Sequence, residues 1–270
     1  MNNQTRTIRR AATAAVLLLA ATSPLSLPTA AGAARQCFGQ PVTMVGTGGA
    51  DTLEGTPGDD VIAGGAGRDV ILGRDGNDKI CGDDGADSLI GGRGRDRLSG
   101  QQGNDTFRAG PGSDWARGDL GDDRIHFGSG NDRDTFGVGS SLPEPGNDVI
   151  FGGAGGDVIA GGTGSDRLFG GPGADFISDR AADGSGIGIA RFLVGEDRVH
   201  GGPGRDWLHG SRGSALIRGN GGGDILCGGP NPDTIDGGSG RDNADGDTGS
   251  NEAGGDTFIS IELRRPGSCF

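Results

Sequence analysis

Along most of this chain one large apolar residue recurs every ninth position, with polar and glycine-rich sequence between. The series runs Leu53, Ile62, Ile71, Ile80, Leu89, Leu98, Phe107, then Ile125, Ile150, Ile159, Leu168, Ile177, Val199, Leu208, Ile217, Leu226 and Ile235, with breaks at Ala116, Asp134 and Ala244. A fixed period of this kind sets the architecture and is read before local propensity. Numbered so that the apolar residue is position 8, the unit is G-G-x-G-x-D-x-U-x. Gly64–Leu72 (GGAGRDVIL) and Gly152–Ala160 (GGAGGDVIA) are clear copies. Positions 1–6 carry turn chemistry. Positions 7–9 are too few for a helix and suit a short strand, with position 8 inward and its neighbours outward.

One apolar side chain per unit contributes about 1.5–3 kcal/mol on burial. Ordering nine glycine-rich residues costs roughly 1–2 kcal/mol each. Hydrophobic burial alone therefore does not hold such a fold, and the remaining term is expected at position 6. There the chain places Asp51, Asp60, Asp69, Asp78, Asp87, Asp96, Asp105, Asp114, Asp123 and Asp132 in unbroken register. Later units add Asp148, Asp157, Asp166, Asp175, Asp197, Asp206, Asp224, Asp233 and Asp242. If two units make one coil, alternate aspartates line opposite edges and stack about 4.8 Å apart. Bare charges at that distance repel by roughly 3 kcal/mol. A divalent cation between turns reverses the sign. Calcium suits oxygen donors in flexible geometry better than magnesium, and softer metals would want periodic His or Cys.

These residues resemble the hemolysin-type calcium-binding repeat, the RTX nonapeptide of secreted bacterial proteins, over nearly all of residues 46–256. The resemblance implies an all-β, right-handed parallel β-roll solenoid that binds several calcium ions through the position-6 aspartates and turn carbonyls. Ala215 and Asn251 replace the aspartate in their units and Asn231 replaces a glycine, so weak or absent sites are expected there. The phase slips twice, which places a seven-residue insert at Phe136–Leu142 and a thirteen-residue insert at Asp179–Arg191. Both are expected to be surface loops. Trp115 and Trp207 fall at outward position 7 and are expected to cover neighbouring loops.

Ahead of the repeats, Arg6, Arg9 and Arg10 precede the apolar run Ala11–Ala21 and the small residues Ala31-Gly32-Ala33. This is the pattern of a secretory leader, residues 1–33, cut near Ala33, and it implies an extracellular protein. Residues 34–45 and 257–270 are left as N- and C-terminal caps. Four cysteines in an exported chain suggest two disulfides. With the inserts left out, Cys81 and Cys227 are about seven coils, or ~34 Å, apart, beyond disulfide reach. Cys37–Cys81 and Cys227–Cys269 are therefore the expected pairs, stapling the two ends.

The formal charge is −13, and it becomes more negative once the three leader arginines are removed. That balance argues against a nucleic-acid partner, and no run beyond the leader suggests membrane insertion. Catalytic readings fail on inventory. The only histidines are His126, His200 and His209, all at outward position 9, and neither an HExxH run nor a G-x-S-x-G elbow occurs. The sequence thus describes a non-enzymatic, monomeric, secreted calcium-binding repeat protein that folds on meeting the ion. The alternative role is an extracellular adhesin or matrix protein with structural calcium and a protein or glycan partner.

Overall fold

In the computed structural model the described residues are 6–9, 36–134, 146–178, 196–210, 214–229, 232–245, 257–259 and 263–264. They form two twelve-stranded parallel sheets joined turn by turn, a β-solenoid, with no helix among them. Each nine-residue unit supplies one strand and one turn, and successive units alternate between the sheets. Val61–Ala66, Lys79–Asp84 and Arg97–Gln102 stack in one sheet. Val70–Asp75, Ser88–Arg93 and Thr106–Pro111 stack in the other. The latter, which contains Asp51–Glu54, is called the first sheet below and the former the second.

Position 8 faces the space between the sheets throughout, and the whole apolar series is buried there. Where position 8 shrinks to Ala116, the neighbouring strand Arg124–Ser129 turns a second ring inward, Phe127 at position 1, and both belong to the same core. The two inserts appear as offsets in the register. Ile125 pairs with Ile150 and Leu168 with Val199, separations of 25 and 31 residues instead of 18. These excesses match the seven and thirteen residues read from the phase slips. The inserts themselves lie outside the described residues, as do Asn231, Asn251 and Cys269.

The three glycines of the unit serve different ends. At positions 2 and 4 the backbone adopts positive φ, as at Gly92 (120°) and Gly94 (131°), where L side chains are disfavoured. At position 4 a β-carbon would also strike the preceding coil: on Gly67 it would lie 2.6 Å from the carbonyl carbon of Gly49. Position 1 is small for a reason that belongs to the site.

The N-terminal segment does more than close an end. Gln36–Cys37 and Gln40–Pro41 form an antiparallel hairpin whose two loop residues, Phe38 and Gly39, both have positive φ, the tight-turn geometry that matches strand twist. The hairpin lies against the outer face of the second sheet, where Cys37 is bonded to Cys81 with the Cα atoms 5.9 Å apart. Phe38 packs edge-on to Trp115 at 5.2 Å, and the Arg97 guanidinium lies over both rings. Trp115 thus covers the hairpin. Trp207 meets Phe176 edge-on and stays 39% exposed. Cys227 is also disulfide-bonded. From the expected leader, Arg6–Arg9 pairs in parallel with Asp51–Glu54.

Thr257–Ile259 and Leu263–Arg264 extend the first and second sheets respectively. The region expected as a C-terminal cap thus lends one strand to each sheet.

Candidate metal centre

Every position-6 aspartate is buried. They fall on two edges, as the two-unit coil requires. Asp51, Asp69, Asp87, Asp105, Asp123, Asp148, Asp166 and Asp197 follow one another on one edge, with Asp233 after the gap at Ala215. Asp60, Asp78, Asp96, Asp114, Asp132, Asp157, Asp175, Asp206, Asp224 and Asp242 form the other.

One carboxylate oxygen of each is committed to the fold. The backbone N–H of Asp51 donates to Oδ1 of Asp69 at 2.8 Å, and that of Asp78 donates to Oδ1 of Asp96 at 2.9 Å. The pattern repeats coil after coil, so from Asp69 and Asp78 onward each aspartate reaches back to satisfy the preceding coil. Outside this ladder runs a second one at position 5 with the opposite sense. Asn77 N–H donates to Asp59, Arg95 N–H to Asn77, and Ser165 N–H to Asn147. Accepting from Asn77 holds the exposed Asp59 carboxyl below its ordinary range.

The other oxygen is different. Oδ2 of Asp78, Asp87, Asp96, Asp105, Asp114 and Asp123 is buried with no hydrogen-bond donor, as is Oδ2 of Asp132, Asp157, Asp166, Asp175, Asp206 and Asp224. A buried carboxylate oxygen left unmatched is costly, and native folds hold only a few unmatched buried polar groups per hundred residues, not a regular row of them. Burial accordingly pushes the acids up, against the lowering effect of the N–H that each accepts. Asp87, Asp132 and Asp206 reach about 6. Asp78, Asp105, Asp114, Asp148 and Asp175 reach about 7, and Asp123 and Asp166 about 8. Neighbouring carboxylates add to the rise.

In the units of Asp78, Asp87, Asp96, Asp105, Asp157, Asp175, Asp206 and Asp224 this oxygen faces the position-1 glycine of its own unit, beside the position-1 carbonyl of the next coil. A β-carbon on Gly91 would lie 2.5 Å from Oδ2 of Asp96 and 2.7 Å from the Ala109 carbonyl oxygen. On Gly152 it would lie 2.5 Å from Oδ2 of Asp157 and 2.7 Å from the Gly170 carbonyl. Position 1 is small because a side chain would fill the space onto which these oxygens converge. No group of three or more His, Cys, Asp or Glu side chains gathers among the described residues. Donors for an ion must therefore combine one carboxylate with backbone carbonyls of adjacent coils. An all-oxygen, carbonyl-rich set fits calcium and not a soft metal.

A model of the RTX calcium-binding nonapeptide repeat matches residues 45–80, 82–116, 100–134, 144–177, 194–226 and 218–253. The chain belongs to that family. Among curated proteins nothing matches it significantly. Within this RTX solenoid several units depart from the common geometry in ways that the motif conceals. Asp51 and Asp60 have their Oδ2 filled locally, by the N–H and hydroxyl of Thr47 (2.6 and 2.8 Å) and of Thr56 (2.6 and 2.9 Å). Ala109 and Phe127 put side chains at position 1 of the Asp114 and Asp132 units. In the Ala215 unit the carboxylate is absent, and a β-carbon on Gly210 would meet Ala215 Cβ at 2.6 Å. The β-branched residues at position 2 were the sequence signal for the first of these departures.

Proposed function

We propose that this protein is a secreted, non-enzymatic calcium-binding module whose coils become ordered as the turns take up several calcium ions outside the cell. The observation that carries this reading is the row of buried Oδ2 oxygens without a donor, which in the units of Asp78, Asp87, Asp96, Asp105, Asp157, Asp175, Asp206 and Asp224 lie beside the position-1 carbonyl of the next coil. Bound calcium supplies the positive charge that these carboxylates lack. The residues that would hold it are the aspartates on the two edges together with turn carbonyls. The open set is Asp78, Asp87, Asp96, Asp105, Asp123, Asp157, Asp166, Asp175, Asp206 and Asp224, with Asp69, Asp148, Asp197, Asp233 and Asp242 in line with them on the same two edges. Asp51 and Asp60 are closed by threonine, and Asp114 and Asp132 are crowded at position 1.

Repeats of this composition bury too little apolar surface to fold unaided, so the ion acts by mass action on the folded state. Extracellular calcium modules bind near ~0.1–1 mM, a range that leaves the chain unordered wherever calcium is scarce and ordered where it is abundant. The leader-like residues 1–33 support export. Circular dichroism of the purified chain tests the reading. Strong β signal is expected only with calcium, and equal β content in excess chelator would refute it.

A further inference from the structure

The acids of this chain concentrate in its turns, and the sheet faces carry the opposite charge. On the outer face of the first sheet the in-register position-9 residues run Arg108, His126, Phe151, Phe169, His200, Arg218. Beside them at position 7 stand Arg124, Arg167 and Arg198. Among the described strands of this sheet between Glu54 and Asp236 the one acid is Asp75, at the turn end of its strand and away from these rows, in a protein whose net charge is −13. All five arginines are exposed, and among the described residues none forms an ion pair. Arg124 lies over the edge of the column, 5.3 Å from the Phe151 ring centre, while on the second sheet Arg97 is taken up by Phe38 and Trp115, and Arg117 by Asp119.

The rings form one column. His126 stacks on Phe151 at 4.5 Å, Phe151 on Phe169 at 4.7 Å, and Phe169 on His200 at 5.1 Å, all within 17° of parallel. Their faces are used on one another, so the column shows solvent a ridge of ring edges, which carry the positive end of the aromatic quadrupole. His126 is neutral, since its Nε2 accepts from Arg124 Nε at 3.2 Å. Burial and then the surrounding arginines hold both histidines below their ordinary range. Five strand steps of about 4.8 Å make the strip roughly 24 Å long.

We infer that this strip docks a linear polysaccharide bearing carboxylate or sulfate groups, laid along the solenoid axis. Guanidinium forks pair with such groups in bidentate fashion, and the positive ring edges of the column, capped by Arg108 and Arg218 and flanked on one side by Arg124, Arg167 and Arg198, favour acidic over neutral sugars. Single-stranded nucleic acid, which relies on stacking its bases on aromatic faces, finds no free face within the column.

The test titrates the calcium-loaded chain, by fluorescence anisotropy or calorimetry, with an oligogalacturonide, dextran sulfate, neutral dextran and an oligothymidylate of matched charge. Salt-sensitive binding of the carboxylated or the sulfated glycan is expected, without binding of dextran. Failure of both charged glycans, equal binding of dextran, or tighter binding of the oligothymidylate each overturns the proposal. The double variant R124A/R167A, which leaves every turn carboxylate in place, is expected to bind about tenfold more weakly. Unchanged affinity in that variant would mean that the glycan is held elsewhere, including through calcium in the turns. With only three histidines, the imidazole resonances of His126 and His200 are expected to move on binding while buried His209, on the second sheet, does not. A response confined to His209, or no response, overturns the site.

Discussion

Asp60 and Asp78 are consecutive carboxylates on one edge of the solenoid, at the same position of their units, and both are buried. Asp60 is satisfied by protein and Asp78 is not. The difference lies four residues upstream. Position 2 of the Asp78 unit is Arg74, whose backbone takes positive φ (88°) and whose side chain leaves to pair with Glu54. Position 2 of the Asp60 unit is Thr56, and a β-branched residue disfavours positive φ. Its N–H and hydroxyl turn onto the carboxylate instead. Yet the space remains: a β-carbon on Gly55 would lie 2.9 Å from Oδ2 of Asp60 and 2.6 Å from the Gly73 carbonyl. Demand for a cation is therefore set by the neighbour that closes or opens the carboxylate, and not by the aspartate alone.

The largest effect expected from this contrast follows calcium removal. Central coils, whose carboxylates leave Oδ2 without a protein donor, should lose nearly all amide-exchange protection in chelator. Residues 46–66, held by Thr47, Thr56 and the Cys37–Cys81 bond, should show the smallest loss. Hydrogen exchange resolved by segment measures this, and a uniform loss along the chain would break the contrast.

Most of the fold could be read from the nine-residue period, because a repeat that places one apolar residue and one acid per unit leaves one way to stack them. The two edges, the buried position 8 and the lengths of both inserts follow from counting. The Thr47 and Thr56 closures did not, since they depend on a backbone torsion two residues into the turn. Nor did the ring column, because His126, Phe151, Phe169 and His200 become neighbours only after the 25- and 31-residue offsets are applied. Phe127 was hidden for another reason. It occupies a position that the motif reserves for glycine, and its inward direction depends on the room left by Ala116. The Cys37–Cys81 bond was expected to staple an end, but Cys81 points outward from position 9, so the bond draws Cys37 onto the side of the sheet.

Acid should partly replace calcium, and more so in the open turns. Asp78, Asp105 and Asp123 have folded values near 7, 7 and 8 against an unfolded value of 3.8. The metal-free fold thus binds more protons than the unfolded chain between about pH 4 and pH 8. Its stability relative to the unfolded chain is greatest at the acid end of that window and falls as pH rises through the folded values. Calcium affinity changes the other way, weakening as pH drops below about 7 while protons are retained. Chelator-treated chain followed by circular dichroism from pH 8 to pH 4.5 should regain β structure, and calorimetry in two buffers should show protons released on calcium binding. No gain on acidification would mean that these oxygens are not the destabilising element.

Single substitutions sharpen the contrast at about 3 kcal/mol and below. Asp96→Asn keeps an acceptor for the Asp78 N–H but removes the charge beside the Ala109 carbonyl. With calcium present it should cost roughly 3 kcal/mol, the scale of breaking a buried ionic contact. In chelator the sign should reverse, because an uncompensated buried charge has gone. Asp60→Asn should be milder with calcium, since Thr56 already supplies its donors. Denaturant titration of both variants in each condition gives the four values, and equal costs at the two positions would contradict the distinction between closed and open turns.

Thr56 itself provides the finest test. Thr56→Gly frees position 2 to adopt the positive φ found at Gly65 and Arg74, which withdraws both donors from Asp60 and leaves its Oδ2 facing the Gly73 carbonyl as in the central turns. The variant should bind one more calcium ion than the parent by calorimetric stoichiometry, and in chelator it should lose about 1 kcal/mol for each of the two hydrogen bonds given up. Thr56→Val separates the two donors. It removes the hydroxyl but keeps the β-branched restriction, so the N–H stays on the carboxylate and the loss should be close to half, with no added ion. Were valine to add an ion as readily as glycine, the hydroxyl would be the closing element and the backbone torsion incidental.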